Sequence, residues 1–129
     1  MRICIDTSAY IEMRKGRFAI ADFLAQCEEI VVPAATVAEL TEGFCADKNK
    51  SAKNIELGRF LDGKNVKFEP AGYAIATRYA EISYALRRRG CKIPANDIWI
   101  AATAFETGCS VLSYDHHFDE IDGLGRFAP

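Results

Sequence analysis

Apolar residues along this chain fall into two rhythms. Short apolar runs recur at Ile3-Cys4-Ile5, Ile30-Val31-Val32 and Val111-Leu112, and Val66-Lys67-Phe68 alternates. Each is too short for a helix and is bounded by polar residues or Pro, which predicts four strands, the last reaching about Tyr114. The tail adds a weaker fifth strand at Arg126-Phe127. Between these runs the spacing shifts toward that of a helix. Thr7 or Ser8 starts a helix through about Arg14, which Gly16 ends, and Phe18 to Cys27 forms the next. Pro33 sits at the start of a helix over Ala34–Phe44. The polar stretch Cys45–Lys53 reads as a loop or a frayed helix end, and Ile55–Leu61 as a short helix. In Tyr73–Arg89 the residues Ile75, Tyr79, Ile82 and Leu86 fall at i, i+4, i+7 and i+11. Asp97–Thr107 is helical and apolar on nearly every side, so it should be buried.

Short apolar strands that alternate with helices predict an α/β fold. The expected form is a three-layer α/β/α sandwich around a mostly parallel sheet of four to five strands. No repeat, linker or low-complexity segment divides the 129 residues, so a single domain over 1–129 is expected.

Composition narrows the class. Half of the residues are hydrophobic, too many for a disordered chain. The five cysteines, Cys4, Cys27, Cys45, Cys91 and Cys109, are odd in number and include no C-x-x-C pair. They read as reduced structural thiols rather than a disulfide frame or a zinc knuckle. The N-terminus enters a strand at once and resembles no signal peptide, and no apolar run is long enough to span a membrane. A cytoplasmic location is expected. With 16 Lys+Arg against 18 Asp+Glu, the formal charge is −2, which excludes a basic nucleic-acid coat or a polybasic membrane anchor.

Sites in parallel sheets form outside the C-terminal ends of the strands. Asp6 follows the first strand, Asp115 follows the fourth, Asp97 opens the buried helix, and Glu39 lies in the helix after the second strand. Each has an ordinary explanation: Asp6 as a helix cap, Asp97 as an acid favoured at a helix start, Asp115 as a turn residue, Glu39 as a solvated helix residue. Together they suggest more. Carboxylates converging at one edge repel each other unless a cation joins them, and a hard divalent ion suits an all-oxygen cluster.

Four segments then carry a resemblance. They are Asp6-Thr7-Ser8; Val37-Ala38-Glu39-Leu40 with Gly43; Pro94-Ala95-Asn96-Asp97 followed by Ile100-Ala101-Ala102-Thr103-Ala104; and Ser113-Tyr114-Asp115-His116-His117-Phe118 with Ile121 and Gly123-Leu124. In this order and spacing the chain resembles the PIN domain, and more narrowly the VapC-type toxin ribonucleases. The resemblance implies a metal-dependent endoribonuclease with one or two Mg²⁺ or Mn²⁺ ions. Asp6 and Asp97 would be the core ligands, Glu39 and Asp115 would complete the set, and Ser8 and Asn96 would orient them. It also implies an RNA substrate, a small antitoxin partner and a homodimer. In many relatives a further acid precedes the Phe of the last segment; here His117 stands there, and Asp119 is a candidate substitute. His117 is itself a lesser site candidate; the neighbours His116 and His117 should point apart and otherwise read as surface residues, one of them a possible phosphate contact.

Arg87-Arg88-Arg89 is the densest basic run, and Arg14 and Lys15 lie near the first motif; these are candidate RNA contacts as well as ordinary solvated charges. The apolar stripes of Phe18–Cys27 and Ile55–Leu61 offer an antitoxin groove. A PIN nuclease of RNA processing without an antitoxin, and an inert PIN-fold binding module, are the alternatives. A phospho-acceptor receiver domain fits less well, because Arg126 stands where it predicts a lysine. Setting the four candidate acids aside leaves 14 acids against 16 basic residues, so the rest of the protein carries a net +2. The acidic excess lies in the proposed pocket, and binding of a polyanion there should depend on a metal.

Overall fold

Alternation along the central strands splits the core into two faces. In the computed structural model, which describes residues 1–129, β1 (Arg2–Ile5) sends Ile3 and Ile5 to one side and Cys4 to the other. Likewise β2 (Glu29–Pro33) separates Ile30 and Val32 from Val31, and β4 (Ser110–Leu112) separates Leu112 from Val111. On the Ile3 side, α1 (Thr7–Arg14), α2 (Phe18–Ala25) and α4 (Lys50–Leu61) contribute Ala9, Tyr10, Ile20, Leu24 and Leu57. On the Cys4 side, α5 (Tyr73–Arg88) and α6 (Ala95–Thr107) contribute Ile75, Ile82, Leu86, Ile98 and Ile100. Between them α3 (Ala34–Phe44) places Leu40 in the first cluster and rests Ala35 against the second. The result is the three-layer sandwich expected.

The sheet is parallel throughout, in the order β3-β2-β1-β4-β5, with β3 at Val66–Glu69 and β5 at Arg126–Phe127. The chain builds outward from β1 through β2 to β3, then crosses over α5 and α6 to lay β4 on the other flank of β1. The strand order therefore reverses between β1 and β4. At such a reversal the connections leave in opposite directions and open a crevice beyond the strand ends.

Three boundaries differ from the sequence expectation. Lys50–Lys53, read as part of a loop or a frayed helix end, is the first turn of α4. α6 starts at Ala95, not Asp97, because the Pro94 carbonyl accepts the Asp97 N–H at 3.1 Å; Asp97 thus sits in the first turn. β4 stops at Leu112 rather than near Tyr114, since the Ser113 hydroxyl accepts the Asp115 N–H at 2.9 Å and bends the chain. The burial of α6 is as expected: Ile100, Ala101, Ala102 and Ala104 are fully buried. Gly108 ends it at φ +71, a left-handed conformation that costs other residues about 1–2 kcal/mol. All five cysteines are free thiols, with Cys4, Cys27 and Cys109 buried. No helix is long and apolar enough to cross a membrane.

Candidate active site

Asp6 leaves the end of β1 into the crevice. Its N–H donates to the Leu112 carbonyl at 3.0 Å, which joins the ends of β1 and β4. It occupies the cap position of α1, but its carboxylate makes no capping bond. The carboxylate is buried and is held by hydroxyls instead: Ser113 donates to Oδ2 at 2.6 Å and Ser8 at 3.1 Å. The Ser8 and Ser113 oxygens are 3.2 Å apart, and Ser8 Oγ accepts the Tyr114 N–H at 3.1 Å. The two serines therefore fix Asp6 and tie the loop after β4 to it.

Asp97 comes to the same place from α6 and is only 7% exposed. The helix N-terminus favours its negative charge. Burial outweighs that and pushes the carboxyl up to about 6, and the nearby Asp6 and Asp115 carboxylates add to the rise while His117 opposes it. Glu39, half-buried on α3, accepts the Thr7 hydroxyl at 3.0 Å. Burial raises its carboxyl, Thr7 and Asn96 hold it down, and Asp6 pushes it up. Asp115 caps the 3-10 helix His116–Glu120 by accepting the His117 N–H at 2.9 Å, so its turn role is real and coexists with its place in the cluster.

The side chains form two overlapping donor sets. Asp6, Glu39 and Asp97 offer oxygens within 4.8 Å of one another, and so do the donors of Asp97, Asp115 and His117. Asp97 belongs to both. The cationic partner of this acidic group is His117, whose Nδ1 lies 2.9 Å from Asp97 Oδ2 and 3.0 Å from Asp115 Oδ1. No lysine or arginine forms an ion pair with any of the four acids. Buried carboxylates without such a counter-charge are costly, and an oxygen-rich donor set of this kind fits a divalent cation.

The structure brings together all four sequence-predicted acids, Asp6, Glu39, Asp97 and Asp115, with Ser8 and Asn96 beside them. Of the two lesser candidates, Asp119 and His117, one is corrected and the other joins the acids. Asp119 does not substitute for an acid at His117: Arg126 holds it at 2.7 Å, His116 stands 3.1 Å away, and these contacts draw its carboxyl down to about 2. His117 is no surface bystander but faces the acids, with its imidazolium favoured by the Asp97 hydrogen bond and by Asp115. The expected divergence of the pair holds, since His116 turns to Asp119. Sequence reasoning missed the roles of Ser113 and Thr7. A small hydroxyl residue directly after an apolar strand, or after the acid that ends one, is the available signal.

The basic candidates lie outside the cluster. Arg14 pairs with Glu56 at 3.4 Å, Lys15 with Glu12 at 3.5 Å, and Arg88 lies over the Tyr84 ring. Arg89 donates to the Glu120 carbonyl of the 3-10 helix, and Arg87 lines a shallow groove with Lys92 and Ile98.

Residues 3–124 match the PIN domain, and the chain belongs to that family. It is 30% identical over 119 residues to Ribonuclease VapC4 of Mycobacterium tuberculosis (strain ATCC 25618 / H37Rv), covering 91% of this chain and 88% of that protein. To Ribonuclease VapC5 of the same organism it is 26% identical over 125 residues, covering 92% and 87%. Among solved structures, VapBC2 from Rickettsia felis bound to a promoter DNA fragment superposes with a TM-score of 0.88 over 98% of both chains; at 20% identity this speaks for the fold. FitAcB from Neisseria gonorrhoeae is 27% identical with a TM-score of 0.78, covering 98% of this chain and 97% of that one.

Proposed function

We propose that this protein is a divalent-metal-dependent endoribonuclease that hydrolyses RNA phosphodiesters, the toxin of a VapBC-type toxin–antitoxin pair. One observation carries the chemistry: two donor sets share Asp97, and no lysine or arginine forms an ion pair with them. The relatives named ribonucleases support the substrate class. Asp6 and Asp97 are the central ligands, with Glu39 and Asp115 on either side, for one or two Mg²⁺ or Mn²⁺ ions. When bound, such an ion polarises a phosphoryl oxygen and activates water for in-line attack. The chain's own residues position it. Ser113 and Ser8 hold Asp6 in one orientation, Thr7 does the same for Glu39, and the Asp115 cap fixes the turn that carries His117.

Arg14, Lys15 and Arg87–Arg89 are the proposed phosphate contacts, with Arg89 placed beside the 3-10 helix that leaves the site. A second copy of the chain and a small antitoxin are the proposed partners. For the antitoxin the structure favours a different face from the α2–α4 groove read from the sequence. Ile20, Leu24 and Leu57 of those helices are spent in the core, which leaves only Phe18 and Ile55 exposed there. A cleft of about 250 Å³ opens instead between α1, α3 and α4, lined by Tyr10, Ile11, Leu40 and Phe44 with Arg14 and Lys53 at its margin. Its apolar floor suits an amphipathic helix, while Arg14 and Lys53 are already paired with Glu56 and Asp47.

The test is RNA cleavage in Mg²⁺ or Mn²⁺ by the wild type and by Asp6→Asn. The wild type should cut and the variant should lose cleavage while keeping its fold by circular dichroism. A variant that cuts at the wild-type rate refutes the assignment of Asp6, and a wild type that cuts no RNA with either ion refutes the activity.

A further inference from the structure

We infer that His117 is a metal ligand, and that its nitrogen biases one of the two ion positions toward a transition ion such as Mn²⁺ over Mg²⁺. The inference rests on the metal-nuclease reading above and assigns to one position a selectivity that an all-acid site lacks. The two donor sets differ in kind. Asp6, Glu39 and Asp97 supply only oxygens, whereas Asp97, Asp115 and His117 supply two carboxylates and an imidazole. Hard Mg²⁺ takes oxygen ligands and gives up its waters reluctantly, while imidazole nitrogen suits first-row transition ions.

The donor spacing fits an ion at this position. Nδ1 of His117 stands 2.9 Å from Asp97 Oδ2 and 3.0 Å from Asp115 Oδ1. Adjacent ligands about 2.1 Å from one octahedral ion stand roughly 3 Å apart, so an ion can replace the bridging proton with little movement of the donors. A carboxylate has two oxygens, enough for Asp97 to serve both positions.

The ring is also aimed by the backbone rather than by chance. The His117 N–H is anchored to the Asp115 carboxylate at 2.9 Å, and the following residue, Phe118, is fully buried and pins the turn. The side chain is 47% exposed, which leaves the outer side of this position open to water or substrate. His116, the only other histidine, is turned away to Asp119 at 3.1 Å and Arg126 at 3.2 Å. A histidine nitrogen on a bound ion therefore has one possible source.

The intact protein is stripped of metal, loaded with Mn²⁺ alone and studied by pulsed electron paramagnetic resonance, which detects ¹⁴N coupled to the ion. Coupling is expected in the wild type and in His116→Gln, and its loss in His117→Gln. In parallel, calorimetric titration of His117→Asp, which keeps a ligand but makes it oxygen, should show the preference for Mn²⁺ over Mg²⁺ reduced by about tenfold, the lower end of what altered metal-site support costs. Bound Mn²⁺ without nitrogen coupling in the wild type, or coupling that survives in His117→Gln, overturns the inference while RNA cleavage and the metal reading stand. A wild type that binds neither ion overturns both together.

Discussion

Replacing Asp97 by Asn should stabilise the metal-free protein while abolishing its function. Burial raises the Asp97 carboxyl from 3.8 to about 6, so keeping it ionised at neutral pH costs about two pKa units, or roughly 3 kcal/mol. The amide removes that cost. The opposing hydrogen bond from His117 is already counted in that shift, so its loss subtracts nothing further. The net gain is about 3 kcal/mol, which for a domain of this size raises Tm by roughly 12 °C. The sign with pH is definite. A carboxyl whose folded pKa lies above its unfolded value contributes stability below about pH 3.8, and loses it as pH rises through about 6. His117, also raised, loses its contribution in the same direction from its usual range upward. The advantage of Asp97→Asn should therefore be full at pH 7.5 and nearly absent at pH 4. Thermal unfolding in EDTA at both pH values measures it. Added Mn²⁺ should then reverse the order, stabilising the wild type and leaving the variant unmoved. A variant less stable than the wild type in EDTA at pH 7.5 would show that the acids are not in electrostatic conflict, and would refute the reasoning.

Two further variants probe the supports of the site. Ser113→Ala removes the hydroxyl that donates to Asp6 at 2.6 Å and accepts the Asp115 N–H, so titration should show metal affinity lowered by about 10–100-fold, and unfolding should show a loss of about 1–3 kcal/mol. Unchanged metal affinity would mean that Asp6 needs no orienting. Asp119→Asn should leave Mn²⁺ binding and RNA cleavage at wild-type levels, because its partners are Arg126 and His116 rather than the acid cluster; a large fall in either would return Asp119 to the site.

Local chemistry along the chain was enough to determine the layers and the acids. The continuous apolar runs Ile3-Cys4-Ile5 and Ile30-Val31-Val32 become two core faces because successive side chains of a strand point oppositely. The apolar run Ile98–Ala102 becomes a buried helix because no side of it can face water. Asp6, directly after β1, and Asp115, three residues after β4, were legible because acids just beyond the strands of a parallel sheet arrive at one edge. What the tertiary structure alone decided is which acids meet and what they meet. Asp119 and Asp115 are both acids of the same short segment, yet the pairing of Arg126 on β5 with Asp119 takes one out of the cluster and leaves the other in. His117 read chiefly as a surface residue because adjacent His116 and His117 point apart and no third histidine joins them. Its real neighbours are Asp97, 20 positions earlier on α6, and the Asp115 cap. The bond between Ser113 and Asp6 spans 107 positions. No periodicity encodes such contacts, because they follow from the reversal of strand order that lays β4 against β1.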